Sequence, residues 1–346
     1  MKIKISLNIA IIFFLFGSLL ALGCEKKSDN PALGPDAGMN PEPDETENPA
    51  AVNPVFQADP TIFYHEGTYY LYGTNDKNAN NGFLVYTSTD MKQWTPRGYA
   101  LQKGEAFGDW GFWAPHVWAD NGKFYMAYTA NEKIAIAESS KPNGPFRQQV
   151  KAALVSSYGL IDPFIFINDD GKKYLYHVRL GGGNRIWVAE MEADYSAMKT
   201  GTNTECITAT PGTWEHVNTA AGRVAEGPTV IKDQGLYYLF YSANDFRHKD
   251  YAVGYAVSEN VNGPWTRYTG NPIIHQSVTG HAGSGHGDIV KGKDGNLSYV
   301  FHTHNTSATV TPRKTAIINL KKTKDASQKD VFDVEAGSFS FLNSAY

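Results

Sequence analysis

The sequence predicts an all-β fold, a five-bladed β-propeller. Three observations carry that expectation. A strand-turn-strand pattern recurs five times between residues 58 and 303. Aromatic residues, which favour strands, make up 13% of the chain. Apolar spacing at the helical period is nearly absent, so sheets must supply the core.

The copies, in order, are "ADPTIFYHEGTYYLYGT" from Ala58, "WAPHVWADNGKFYMAYT" from Trp113, "IDPFIFINDDGKKYLYHV" from Ile161, "EGPTVIKDQGLYYLFYS" from Glu226 and "GHGDIVKGKDGNLSYVFHT" from Gly285. Each is a short apolar strand, a polar turn with glycine (Gly67, Gly122, Gly171, Gly235, Gly295) and an aromatic-rich second strand, the pattern of a β-hairpin. A proline opens the first strand of four copies: Pro60, Pro115, Pro163 and Pro228. That position suits a residue without an N–H, because no ladder donor is needed there. A further strand follows each hairpin, often ending in a polar turn with an aromatic, as in "FLVYTSTDMKQW" and "YAVGYAVSENVNGPW". Copies spaced about 50–65 residues apart, with about four strands each, fit propeller blades better than the two sheets of a sandwich.

Three segments are expected. Residues 1–23, "MKIKISLNIAIIFFLFGSLLALG", have a basic start and a short apolar stretch, the pattern of a secretory signal. The Gly23-Cys24 ending resembles that of bacterial lipoproteins, which implies that Cys24 carries the lipid. Residues 24–52 are rich in Pro, Asp, Glu and Asn with few large apolar side chains, and read as a disordered tether. Residues 53–346 form the propeller. The protein is therefore expected to be exported and anchored by lipid alone, outside the cytoplasm. The chain has two cysteines, so with Cys24 lipidated Cys206 has no intrachain partner and no disulfide framework supports the fold. A net charge of −4 and the lack of a basic stripe argue against nucleic acid as a partner. A monomer is expected.

Asp59, Asp162 and Glu226 all stand immediately before a first strand, at equivalent positions of the repeat. In a propeller that strand lines the central channel, so the three carboxyls should converge at one mouth. Carboxyls held close push each other's pKa apart. One is then protonated while another is ionised, the pairing that acid–base hydrolysis of a glycosidic bond requires. Trp113 stands at the same end and is expected to wall a sugar site, with Phe112 and Trp110 beside it.

The segments "ADP" at Ala58, "FWAPHVW" at Phe112, "IDPFIF" at Ile161, "AEGPTV" at Ala225 and "GHG" at Gly285 resemble glycoside hydrolase family 43, in that family's order and over roughly residues 53 to 320. The resemblance implies a five-bladed propeller of inverting enzymes acting on arabinose- and xylose-containing glycans. It implies Asp59 as general base, Glu226 as general acid and Asp162 as the acid that orients Glu226 and tunes its pKa. It further implies a substrate-facing role for Arg313 and for His286, and a metal role for His286 in members that hold an ion such as Ca²⁺ or a water near the channel axis. The chemistry itself requires no cofactor. Arg313 as a surface cation and His286 as a buried histidine bonded to backbone are the alternatives from the residues alone. Within the family the reading leans to α-L-arabinofuranosidase, with β-D-xylosidase and endo-arabinanase beside it. A retaining sucrose or fructan hydrolase is disfavoured because the first acid stands in "FQADP" and not in a Trp-x-Asn-Asp-Pro context. A surface lipoprotein that binds a glycan without cutting it is the non-enzymatic alternative, disfavoured because all three acids are present.

Overall fold

The computed structural model describes residues 53–345 apart from 156, 219 and 221. The signal segment, Cys24 and the tether lie outside the described residues. The chain from residue 53 forms five antiparallel sheets in sequence order. Their inner strands are Ala58–His65, Trp113–Asp120, Leu160–Ile167, Ala225–Asp233 and Gly285–Lys291. Each inner strand packs against the next and the fifth packs against the first, so the sheets close into a ring of five blades. Blades 3 and 4 have the expected four strands, whereas blade 2 has three, its outer edge reduced to a bridge between Glu138 and Arg147.

The core is divided among the five junctions. Tyr72 and Phe83 meet Phe112 and Tyr128 between blades 1 and 2. Trp118 and Ile134 meet Ile165 and Leu175 between blades 2 and 3. Tyr176 and Val178 meet Leu239 and Tyr241 between blades 3 and 4. Tyr238 and Phe240 meet Tyr299 and Phe301 between blades 4 and 5, and Leu71 and Trp94 meet Val300 and Ile317 between blades 5 and 1. Side chains of a strand alternate between faces, so a strand sandwiched between two neighbours must be apolar on both. The run "LYYLFYSA" of Leu236–Ala243 does this: Tyr237, Leu239 and Tyr241 face blade 3, while Tyr238 and Phe240 face blade 5.

The ring is fastened at its seam by segments near residues 55 and 340–344. Ser340–Phe341 pairs with the third strand of blade 5, and Asn343–Ser344 pairs in parallel with Gln93 and Trp94 of blade 1. Val55 completes the seam, donating to the Leu342 carbonyl and accepting from the Thr315 N–H. Between these pairings Leu342 is buried against Trp94 and Ile317. Leu342→Ala should therefore lower unfolding free energy by about 2–5 kcal/mol, the range for emptying a packed leucine site. Urea denaturation checks this, and an unchanged midpoint would mean that the seam contributes nothing to ring closure.

Candidate active site

All five inner strands carry the same irregularity near their first residues, a bulge where the pairing with the second strand shifts. At each bulge one residue adopts a left-handed backbone: Asp59 (φ 48°), Ala114 (46°), Asp162 (55°), Gly227 (59°) and His286 (45°). A side-chain-bearing residue in this region costs roughly 1–2 kcal/mol. Four blades accept that cost at the mouth of the channel, where bulges commonly re-aim side chains. Asp59 and Asp162 are thus equivalent, and His286 is their counterpart in blade 5. Glu226 is not. The bulge residue of blade 4 is Gly227, and Glu226 stands one position earlier. The expectation that three acids occupy one repeat position is corrected accordingly. All three acids also lie within their strands rather than ahead of them.

Gly227 is required for two reasons. Its φ is positive, and a Cβ there would stand 2.8 Å from the His286 ring. Gly285 makes room in the same way for the ring of Tyr251, which would collide with any added side chain.

Asp59 is buried beside Arg313, a threonine hydroxyl and two histidine rings. Arg313 Nη1 donates to its Oδ1 at 2.9 Å, and Thr74 Oγ1 donates to its Oδ2 at 2.7 Å. His286 Nδ1 lies 3.4 Å and His302 Nδ1 3.2 Å from Oδ1. Burial alone would raise the Asp59 carboxyl, but Arg313, with the two histidines, outweighs it and holds the group well below its usual value. Burial pushes both histidines down, His302 to about 4, so Arg313 is the partner that keeps its charge at neutral pH. Arg313 is itself buried and fixed by Asp76, whose two carboxylate oxygens accept from Nε at 2.9 Å and Nη2 at 2.8 Å. Its guanidinium also lies over the Phe246 ring, 4.7 Å from the centroid. It is no surface cation.

Glu226 has the opposite environment. It accepts from Tyr251 Oη at 2.8 Å and from Asn184 Nδ2 at 2.8 Å, and no cation pairs with it among the described residues. Burial pushes its carboxyl up to about 7, against the pull of those two donors and with the Asp59 charge adding to the rise. Asp162 is also held well above its usual value, by burial first and then by the charges of Glu226 and Asp59. Its Oδ2 accepts from the Gly227 N–H at 3.3 Å.

The three acids line one open cavity of about 450 Å³ together with Trp113, His286 and Arg313. Asn184, Asp245, Phe246 and Arg247 complete it on the side of blades 3 and 4. Trp113 borders this space with the exposed Trp110 edge-on against it, ring centroids 5.9 Å apart. Phe112 does not reach the cavity. It is fully buried, stacked on Tyr128 and edge-on to Phe83. Phe112 packs into the junction of blades 1 and 2 while Trp113 faces the mouth, so its expected contact with substrate is withdrawn. Below the acids the channel narrows to about 20 Å³ between His116, Phe164, His286 and Asp288, room for one water-sized occupant. No group of three or more His, Cys, Asp or Glu side chains among the described residues has metal-holding geometry. The donor set does not fit a protein-only cage, and a cation beside His286 would have to keep most of its own water.

Tyr251, Asn184, Asp76 and His302 are site residues that sequence reasoning missed. His302 alone had a usable signal, since it occupies the place in its hairpin that Thr74 and Thr129 occupy in theirs.

The description Glycosyl hydrolases family 43 belongs to a family model that matches residues 47–326. The chain belongs to this family. It is a glycoside hydrolase. Among similar structures, an endo-1,4-β-xylanase from Bacteroides thetaiotaomicron shares 40% identity with a TM-score of 0.79, over 86% of this chain and 99% of that one. A β-D-galactofuranosidase from Aspergillus niger is 25% identical over 79% of this chain and 82% of its own. An extracellular endo-α-(1→5)-L-arabinanase from Bacillus subtilis is 25% identical over 64% of this chain and 71% of its own.

The electrostatics give a pH profile. With Asp59 ionised and Glu226 protonated as the active pair, kcat/KM should fall as pH rises through about 7. Arg313→Gln removes the cation that lowers Asp59, so the acid limb should move to higher pH by roughly one unit or more. Stopped assays from pH 3 to 9 measure both limbs, and an acid limb unmoved by Arg313→Gln would dissociate Asp59 from it.

Proposed function

We propose that the protein hydrolyses arabinose- or xylose-containing glycans by a single displacement. The observation that carries this reading is the opposed environment of two carboxyls in one cavity: Asp59 paired to a buried arginine, Glu226 buried without a cation. Asp59, ionised, takes the proton of a water as that water attacks the anomeric carbon. Glu226, protonated, gives its proton to the glycosidic oxygen as the bond to the leaving sugar breaks. Asp59 ends protonated and Glu226 ionised, and exchange with solvent restores both. Asp162 holds the peptide next to Glu226 through Gly227. Trp113 walls the sugar and Arg313 contacts it while keeping Asp59 charged. No cofactor takes part in these steps.

An α-L-arabinofuranosyl bond is the first substrate reading. The galactofuranosidase acts by name on a furanoside, and the 1→5 link cut by the arabinanase occupies O5, leaving O4 to close a five-membered ring. A β-D-xylosyl bond is the second, supported by the 40%-identical relative named as an endo-1,4-β-xylanase. We further propose, from the leader sequence, that the protein is exported and held outside the cytoplasm by a lipid on Cys24.

Purified protein is tested against aryl α-L-arabinofuranoside, aryl β-D-xyloside, arabinan and arabinoxylan. Turnover of at least one is expected, and none across the panel would favour a binding protein. Asp59→Asn should reduce turnover at least 10²-fold on every substrate cut, because an amide cannot accept the proton. Glu226→Gln should be equally harmful with polysaccharide but far less so with activated aryl leaving groups, which depart without a proton. Equal losses on both would remove Glu226 from the acid role.

A further inference from the structure

The five bulge residues each present a backbone N–H at the blade junction, and four are satisfied in the same way. The acceptor is a side chain on the second strand of the preceding blade, from the residue that pairs with the one just before the bulge. Thr74 pairs with Ala58 and accepts from Ala114 N–H at 3.0 Å. Thr129 pairs with Trp113 and accepts from Asp162 N–H at 3.0 Å. Ser242 pairs with Glu226 and accepts from His286 N–H at 2.7 Å. His302 pairs with Gly285 and accepts from Asp59 N–H at 3.1 Å, closing the ring.

The junction from blade 3 to blade 4 breaks the pattern. The residue paired with Ile161 is Val178, fully buried and without any acceptor. The bulge amide there belongs to Gly227, and a buried N–H without a partner would be costly. It is satisfied from the other direction, by Asp162 Oδ2 at 3.3 Å.

We propose that Val178 is a positioning residue: by withholding the acceptor that the other four junctions supply, it leaves the Gly227 N–H to Asp162 and so ties the backbone of Glu226 to that carboxyl. The peptide bond in question joins Glu226 to Gly227, so this hydrogen bond sets where the Glu226 side chain starts. It also gives Asp162 its one hydrogen-bond donor among the contacts described. The titratable groups facing Asp162 are Glu226, Asp59, His286 and Arg313, and none of them donates to it at hydrogen-bond distance. Valine and threonine have the same shape, so one substitution converts this junction to the form of its neighbours. In Val178→Thr the new hydroxyl reaches the Gly227 N–H as Thr129 reaches Asp162, and Asp162 loses its donor.

This rests on Glu226 and Asp162 having the roles assigned under the proposed function. The experiment compares Val178→Thr, Val178→Ala and wild type on one polysaccharide and one activated aryl glycoside, with full pH profiles and thermal midpoints. Val178→Thr should keep the midpoint within a few degrees. It should lose roughly 3- to 10-fold in kcat on polysaccharide, the scale of one hydrogen bond, and less on the aryl substrate. The alkaline limb should stay where wild type has it, because burial and the charges of Asp59 and Asp245 are what raise Glu226. Val178→Ala leaves a void without an acceptor, so it should lose stability and keep the wild-type ratio of polysaccharide to aryl activity. The proposal is overturned if Val178→Thr keeps wild-type kcat on polysaccharide, if it loses as much on the aryl substrate, or if both variants shift the ratio of the two activities alike. A Val178→Thr crystal structure with Asp162 still accepting from Gly227 overturns it independently. Failure of the catalytic assignment itself shows separately, as a Glu226→Gln variant that remains active on polysaccharide.

Discussion

Closure of five sheets into one ring forces the mouth ends of five inner strands onto a single axis, and the site follows from that constraint. Every inner strand meets the axis through a bulge with a left-handed residue. The bulge turns that residue toward the channel and frees its amide. The amide is then bonded across the blade junction, so the residues at the mouth are fixed by hydrogen bonds as well as by apolar packing. A side chain on such a rigid base can hold chemistry to a fraction of an ångström, which loops rarely do.

The ring also explains why chemically similar carboxyls behave differently. Asp59, Asp162 and Glu226 are all buried, and burial raises each of them. A cation brought from far along the chain separates them. Arg313 reaches Asp59 across the seam between blades 5 and 1, held by Asp76 from blade 1. One guanidinium serves two buried carboxylates, so losing Arg313 would leave both Asp59 and Asp76 without a cation. The pair of aspartates fixes the guanidinium beside Asp59, and no cation pairs with Glu226 among the described residues. The Tyr251 hydroxyl and the Asn184 amide orient Glu226 without supplying a full charge, so its proton stays near the pH at which it must be given away.

Much of this was legible in the sequence. The five hairpins were, because proline, strand, turn glycine and aromatic strand recur in fixed order. So were the three acids and Trp113. The offset of Glu226 was also legible and overlooked: a proline directly follows Asp59 and Asp162, whereas Gly227 separates Glu226 from Pro228. Phe112 was misplaced because adjacency to Trp113 was read as a shared face, whereas its ring packs against Phe83 and Tyr128 in the junction core. Asp76, Asn184 and Tyr251 could not be read, since they lie outside the repeated hairpin positions and meet the acids only after the ring closes. Val178 looked like ordinary core, and its place is visible only beside four polar counterparts.

The central claim is that Asp59 and Glu226, on non-consecutive blades of the ring, act from opposite faces of the sugar in one step. Proton NMR of the anomeric region during the first minutes of hydrolysis tests it most directly, before mutarotation mixes the products. A first-formed sugar of inverted configuration is the result the account predicts. A first-formed sugar of retained configuration, or efficient transfer of the sugar to added methanol, would contradict it by requiring a covalent intermediate that an Asp59 acting as base does not form.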